Sequence, residues 1–233
     1  MAERQRIQAI IDITLIIGAA AGVQALVHPF AWQYASLPAA FCVILLSTFL
    51  IRKRGWRWVD FGLRGPSSFR GVLITLGQAA LTLISVMVIA AIVAVSLDAV
   101  LERPEDPLAR FDGIQGDWRV YLMWLALGWI VGGFIEEMVF RGFLINRVET
   151  LLTGVAPVVK TTMLSGLAII VPAALFGLAH VYYRGLHGAL VVTAVGITFG
   201  AFYLMFGRRL WPLILAHGGI DTIVLTAYYL GVE

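Results

Sequence analysis

Residues 118–141 have the sequence WRVYLMWLALGWIVGGFIEEMVFR, in which an apolar run leads directly to two adjacent glutamates and an arginine. A helix needs about 20 largely apolar residues to cross the hydrocarbon core of a bilayer. The run is long enough to do so, and it carries Glu136, Glu137 and Arg141 into the inner part of the span. Placing an ionisable side chain at that depth in the membrane costs free energy, so such a residue is first interpreted as functional. The stretch therefore predicts a membrane helix that bears chemistry.

The composition of the whole chain agrees with this prediction. Of its 233 residues, 60% are hydrophobic and 13% are charged, and the mean hydropathy is +0.90. About a quarter of the residues in a soluble domain are charged. The alternative, a very apolar soluble domain, would have to hide more apolar surface than a core of this size holds, so the excess is expected to face lipid. A single cysteine, Cys42, excludes an intramolecular disulfide and a multi-cysteine metal site.

The pattern of apolar runs predicts an all-α, polytopic transmembrane bundle of seven to eight helices. The chain reads as one domain, 1–233, with a catalytic core at about 118–225. Pro157 and Pro172 leave the stretch 151–170 ambiguous, because they could bound a further short helix. The predicted spans are 7–27, 36–51, 71–97, 118–140, 160–181, 187–206 and 211–230.

Loop charges predict the orientation in the membrane. The loop 52–70 carries six basic residues against one acid, whereas 98–119 carries six acids against three arginines. Cytoplasmic loops are rich in Lys and Arg, so we expect the first loop and the N-terminus to be cytoplasmic and the second loop to be external. The formal net charge of +3 resides in such loops and gives no reason to expect nucleic acid as a partner. The absence of an evident targeting extension suits a bacterial cytoplasmic (inner) membrane.

Three apolar spans contain the polar residues that could act together. Glu137 and Arg141 are four residues apart and can pair on a helix, whereas Glu136 points about 100° away from them and is free for other work. His180 follows Phe176 by one turn in a second span, and His217 precedes Asp221 by one turn in a third. Each motif alone has a plain structural interpretation: a solvated helix end, a histidine that bonds the backbone, or a His–Asp pair that holds helices together. Together they predict hydrolysis, because a glutamate and a histidine can deprotonate water and a second histidine can stabilise an oxyanion.

The three motifs in this order resemble the CPBP family, the type II CAAX prenyl endopeptidases and their bacterial relatives. Glu136-Glu137-x-x-x-Arg141, Phe176-x-x-x-His180 and His217-x-x-x-Asp221 carry the resemblance. The basic stretch 55–64 is similar to a loop that often precedes the family's core. Signatures of other membrane proteases are absent from the sequence: His-Glu-x-x-His, the rhomboid Gly-x-Ser-Gly and the presenilin Gly-x-Gly-Asp.

The resemblance implies a membrane-embedded peptidase that acts on a peptide or membrane-protein substrate at the lipid bilayer. It assigns water activation to Glu136 with help from His180, and it places His217 and Asp221 at the scissile carbonyl and its oxyanion. Glu137, Arg141 and Phe176 would support the site. The family is regarded as glutamate-dependent, so no metal is expected, although zinc at Glu136, His180 and His217 stays open on ligand chemistry. Position 221 is Asp where well-studied prenyl proteases have Asn, and an ionised Asp cannot donate to an oxyanion.

Two other functions and one difficulty remain at this stage. The same fold could serve as a non-catalytic scaffold or immunity protein, or the polar residues could relay protons in a coupled transporter.

The difficulty is depth in the membrane, because strict alternation of seven spans separates Glu136 and His180 by about 15–20 Å across the membrane. Catalysis therefore predicts either a long or tilted helix at Glu136 or a break near Pro157–Pro172 that adds an eighth helix.

Overall fold

The computed structural model describes residues 2–103, 109–111, 113–152 and 161–232, and all of the secondary structure in these ranges is helical. Three short 3₁₀ turns, Trp32–Tyr34, Trp58–Phe61 and Ala109–Phe111, lie in the connections. The main elements are α1 (Ala2–Ala31), α2 (Ser36–Lys53), α3 (Phe69–Leu97), α4 (Trp118–Leu127), a π-helix (Gly128–Leu144), α5 (Ile145–Leu152), α6 (Thr161–Met205) and α7 (Trp211–Leu230).

Six helical runs in the described ranges are long and apolar enough to cross a membrane. The all-α prediction holds for these residues, and the predicted number of seven to eight helices is not confirmed. One of the six runs is continuous from Trp118 to Leu152 and comprises α4, the π-helix and α5. Another, Ser165–Met205, lies in α6, which contains most of both the fifth and the sixth predicted spans.

Helix α6 folds back on itself at Gly185. This residue has φ 62° and ψ −174°, a backbone conformation that is essentially restricted to glycine. Close contacts pair the two arms in antiparallel order: Gly177 faces Ala189 and Thr193, Gly196 faces Ala173, and Gly200 faces Ile169. A Cβ atom at Gly196 would lie 3.1 Å from the Cα of Ala173, so the small residues allow the arms to approach closely. Element α6 is thus a hairpin of two helical arms.

The π-helix is the centre of the bundle. It packs against α7, α2 and α6, and eleven of its residues are buried. A π-helix bonds residue i to i+5. Such turns are rare in proteins, and those that do occur are often at functional sites. Here the pattern extends over 17 residues, and the N–H of Ile145 still donates to the C=O of Phe140. Glu136 and Glu137 therefore sit in the most enclosed helical run that the structure describes.

A buried ion cluster joins α1 to the C-terminal end of α2 and to α5. Asp12 is fully buried, and its Oδ1 accepts a hydrogen bond of 2.7 Å from Arg54. Arg147 approaches the other carboxylate oxygen at 3.9 Å, and its guanidinium lies over the ring of Trp56 at 4.6 Å. A buried charge is tolerated only when it is paired, so Asp12 has a structural part in joining the three helices.

Candidate active site

Glu137 organises the polar centre of the bundle. Its side chain is 0% exposed, and its Oε1 accepts two hydrogen bonds, one of 2.9 Å from Arg141 Nη1 and one of 2.8 Å from His217 Nδ1. The first bond joins two turns of the same helix, as the spacing of the two residues predicts. The second connects the π-helix to α7. Because Nδ1 donates to this carboxylate, Nε2 is the nitrogen of His217 that is left for chemistry.

Arg141 is held between two aromatic rings. Its guanidinium lies 4.6 Å from the ring centre of Phe176 and 4.9 Å from that of Phe199, and the residue is 2% exposed. Cations over aromatic faces are stabilised electrostatically, and more so when they are desolvated. The same two rings also reach His217, at 6.2 and 5.4 Å between ring centres. Phe176 and Phe199 thus enclose the Arg141–Glu137–His217 network.

Glu136 meets the other side of the same imidazole. Its Oε2 lies 3.9 Å from His217 Nε2, and its side chain is 21% exposed. Glu136 takes no part in the Glu137–Arg141 pair, yet both carboxylates approach His217, each at a different ring nitrogen. The reason is the wider π-helix, in which residues i and i+5 are bonded. The angle around the helix axis between consecutive side chains is therefore smaller than in an α-helix.

His180 lies beside this group with one nitrogen fixed. Its Nδ1 is 2.8 Å from the C=O of Phe176, one turn earlier on α6. A carbonyl can only accept, so Nδ1 carries the proton and Nε2 of the neutral ring has the free lone pair. The ring also packs edge-on against Phe176 with 4.6 Å between ring centres. His180 thus presents a potential proton acceptor, although alone it would also satisfy the structural interpretation of a histidine bonded to its own helix.

A cavity of about 90 Å³ lies between Glu136 and His180. A single water needs about 10–15 Å³ measured in this way, so several waters or part of a peptide fit. Glu136 and His180 both line the cavity, together with Phe140, Tyr183 and Arg110. Apart from these side chains and a few others, the wall is made of small apolar residues of α1, α2, the π-helix and α6.

Asp221 lies against a glycine face of the central helix. A Cβ atom on Gly132 would be 2.5 Å from Asp221 Oδ2 and 3.4 Å from His217 Nε2, and one on Gly128 would be 3.1 Å from Oδ2. The two glycines therefore create the space in which Asp221 approaches the His217 imidazole. Gly128 and Gly132 form a small-x-x-x-small pattern, the usual signal of close helix contact in membranes. Sequence reasoning named neither glycine, although this spacing could have identified both.

The structure has a long helix at Glu136 and no break at Pro172. Glu136 lies in the continuous run Trp118–Leu152, which is the long helix that was one of the two alternatives. Pro172 is inside α6, whose non-helical position is Gly185, and Pro157 lies outside the described residues. Phe176 contacts both His180 and His217.

The comparison with family models gives one match. Residues 118–223 match the model described as Type II CAAX prenyl endopeptidase Rce1-like. These residues form a domain of the CAAX protease family. The predicted family is confirmed, and the CAAX protease domain contains all of the site residues Glu136, Glu137, Arg141, Phe176, His180, His217 and Asp221. The basic stretch 55–64 lies outside the match. Neither the curated proteins nor the solved structures gave a match.

The question of a metal ion concerns the side chains of Glu136, His180 and His217. In the part of the chain that the structure describes, no group of three or more His, Cys, Asp or Glu residues converges in a way that could hold a metal ion. The carboxylates of Glu136 and Glu137 are instead arranged around one imidazole, that of His217. The expectation of no metal, and the alternative of zinc bound by Glu136, His180 and His217, both stay untested.

Proposed function

We propose that this integral membrane protein is an intramembrane endopeptidase that hydrolyses a peptide bond of a membrane-associated peptide, lipidated or not, with water activated by Glu136 and His180. The observation that supports it most directly is the cavity that Glu136 and His180 share, with His217 3.9 Å from the Glu136 carboxylate. A general base has to reach its water within hydrogen-bond distance, and a shared cavity large enough for water meets that requirement.

In the proposed reaction, the Glu136 carboxylate takes a proton from water while the water oxygen bonds to the scissile carbonyl carbon. Nε2 of His180 accepts a hydrogen bond from the same water and orients it. The carbonyl oxygen becomes an oxyanion, which the protonated Nε2 of His217 stabilises by donating to it. The C–N bond then breaks, and the proton held by Glu136 passes to the departing amine. The products are a new carboxylate and a new amino group.

Glu137 and Arg141 act through His217 in this proposal. Glu137 fixes the orientation of the imidazole by its 2.8 Å bond to Nδ1, and Arg141 fixes Glu137. Hydrogen-bond partners of this kind lock a reactive side chain in one geometry. Asp221, between the glycine face and Nε2 of His217, is placed to orient the protonated ring or, when itself protonated, to donate to the oxyanion.

We further propose a bacterial inner-membrane location with the N-terminus in the cytoplasm, which rests on the charges of the loops 52–70 and 98–119. Arg110, which lines the cavity, belongs to the loop between α3 and α4, so this end of the cavity would face the outside. Labelling of single cysteines from either side of the membrane, in a chain with Cys42 replaced, tests the orientation. Labelling of a cysteine at Lys53 from outside would contradict it.

The function is tested by incubating the purified protein in nanodiscs with a peptide library that includes farnesylated C-terminal peptides. We expect the wild type to cleave a subset of the peptides, and Glu136→Ala and His180→Ala to cleave none while unfolding at the wild-type temperature. Chelation is expected to leave the activity unchanged, and its loss with recovery on adding zinc would instead support the zinc alternative. Full activity of His180→Ala would contradict the assigned roles, and cleavage of no peptide by the wild type would favour a scaffold.

A further inference from the structure

Half of the residues that line the cavity lie outside the CAAX protease domain, which begins at residue 118. Most of these residues belong to α1 and α2 and have small or apolar side chains. Gln24, on α1, differs from them because it carries an amide into the space that Glu136 and His180 also line. The proposed hydrolysis gives this amide no part.

The amide of Gln24 lies at membrane depth. Gln24 is partly buried in a helical run that can cross a membrane, about 18 Å along α1 from Asp12. In the part of the chain that the structure describes, no hydrogen bond joins its side chain to another residue. Polar side chains in membrane helices bond a neighbouring helix or face a polar cavity, and only the second applies to Gln24. Its donors and its acceptor are therefore available to a ligand in the cavity.

The peptide group is the natural partner of such an amide. A glutamine amide has one C=O acceptor and two N–H donors. It can therefore bond to the N–H and the C=O of one residue in an extended peptide, as a neighbouring strand would. A peptide in an apolar cavity has lost its water, so each unpaired backbone group costs free energy. The rest of the wall from α1 and α2 is alanine and valine, apart from Ser36, whose hydroxyl already accepts a bond from Arg110.

Helix α1 gives the distance between this amide and the reacting carboxylate. Ala20 precedes Gln24 by four residues, lines the same cavity and packs against the cluster that contains Ile135, the residue before Glu136. Four residues of helix span about 6 Å at 1.5 Å per residue. An extended peptide rises about 3.3 Å per residue, so Gln24 lies about two residues from the bond at Glu136.

We propose that Gln24 binds the main chain of the substrate, accepting a hydrogen bond from an N–H and donating one to a C=O about two residues from the scissile bond. This inference rests on the proposed function and adds to it a subsite outside the CAAX protease domain. The ligand of this subsite is an extended peptide backbone, whatever side chain the bound residue carries. Gln24 is a binding residue in this account and takes no part in the chemical step.

The test is a thermodynamic cycle between the Gln24 side chain and the peptide backbone. The peptide of the library with the highest affinity is labelled with fluorescein, and a series is made in which one backbone nitrogen at a time is methylated. Each peptide is titrated onto Glu136→Gln protein in phosphatidylcholine nanodiscs, with and without Gln24→Leu. A neutral hydrogen bond contributes about 2- to 10-fold in affinity, so Gln24→Leu should weaken binding of the unmethylated peptide by about 10-fold. Methylation of one nitrogen should weaken binding by about 2- to 10-fold when Gln24 is present and by less than about 2-fold in the Gln24→Leu protein.

Gln78→Leu is the matched control. Gln78 is a glutamine within the membrane helix α3, and it does not line the cavity. This control should leave both the affinity and the effect of methylation unchanged. Leucine is favourable in membrane helices, so Gln24→Leu is expected to keep the fold, which the unfolding temperature checks. Equal effects of methylation at every position in the two proteins, an equal loss of affinity in Gln78→Leu, or no binding of any library peptide would each overturn the inference.

Hydrolysis by protein with Glu136 intact separates the two proposals. A contact that is equally strong in the bound substrate and in the transition state affects KM alone, so Gln24→Leu should raise KM by about 10-fold with kcat nearly unchanged. Cleavage by the Gln24→Leu protein with the wild-type KM would leave the peptidase standing and remove the subsite. Binding that depends on Gln24, without any cleavage by the wild type, would support the subsite and contradict the peptidase.

Discussion

Replacing Arg141 by alanine removes the cation on which the polar centre depends. Glu137 is 0% exposed and Arg141 2% exposed, so the substitution leaves a buried carboxylate whose remaining bond is to His217. Breaking a buried ion pair from one side costs about 3–5 kcal/mol. The contacts of the guanidinium with Phe176 and Phe199 add to this loss, each by about 0.5–2 kcal/mol. We expect Arg141→Ala to lower the free energy of unfolding by at least about 3 kcal/mol and to abolish peptide cleavage.

The assay is reversible unfolding in mixed micelles followed by tryptophan fluorescence, with cleavage measured on the same preparations. Arg119→Ala is the matched control, because Arg119 is exposed, and it should change the unfolding free energy by less than about 0.5 kcal/mol. A second variant, Glu137→Gln with Arg141→Met, removes both charges and should recover much of the stability, since buried pairs are often replaceable by apolar groups. It should stay inactive, because His217 loses the carboxylate that orients it. A loss below about 1 kcal/mol in Arg141→Ala, with activity retained, would refute the reasoning.

Two further substitutions probe the glycines that shape the site and the fold. Gly132→Ala places a Cβ atom 2.5 Å from Asp221 Oδ2, so we expect a cost of about 1–3 kcal/mol from overpacking and a strong loss of cleavage, measured beside Gly166→Ala, where nothing lies within 4 Å. Wild-type activity in Gly132→Ala would show that Asp221 does not need this position. Gly185→Ala forces a side chain into a conformation available almost only to glycine, and thermal unfolding should show a destabilisation of about 1–3 kcal/mol. An unchanged unfolding temperature would show that the α6 hairpin does not depend on the glycine.

Much of the candidate site was predictable because its residues follow simple spacing rules. Glu137 and Arg141 lie one turn apart and form the predicted pair. The rule that ionisable residues in apolar spans are functional selected Glu136, His180 and His217, and the structure brings all three to one region. The family resemblance ordered these residues into roles, which sequence alone could not do.

Other features depend on tertiary structure and left no clear pattern in the sequence. Hydrophobic periodicity does not separate a π-helix from an α-helix when nearly every position is apolar, so the approach of both glutamates to His217 was not foreseen. The position of Arg110 depends on a loop that returns to the bundle, and no helical period describes it. The antiparallel arms of α6 depend on φ at one residue, Gly185.

The central claim is that the Glu136 carboxylate activates the attacking water, and the most direct measurement is kcat for the isosteric variant Glu136→Gln. The amide keeps the shape of the side chain and cannot accept the proton, so kcat should fall by about 10²–10⁴-fold with the unfolding temperature unchanged. Glu102→Gln, an exposed glutamate in the connection after α3, is the control and should keep the wild-type kcat. A kcat for Glu136→Gln within about threefold of the wild type would contradict the account, because general base catalysis contributes far more than that.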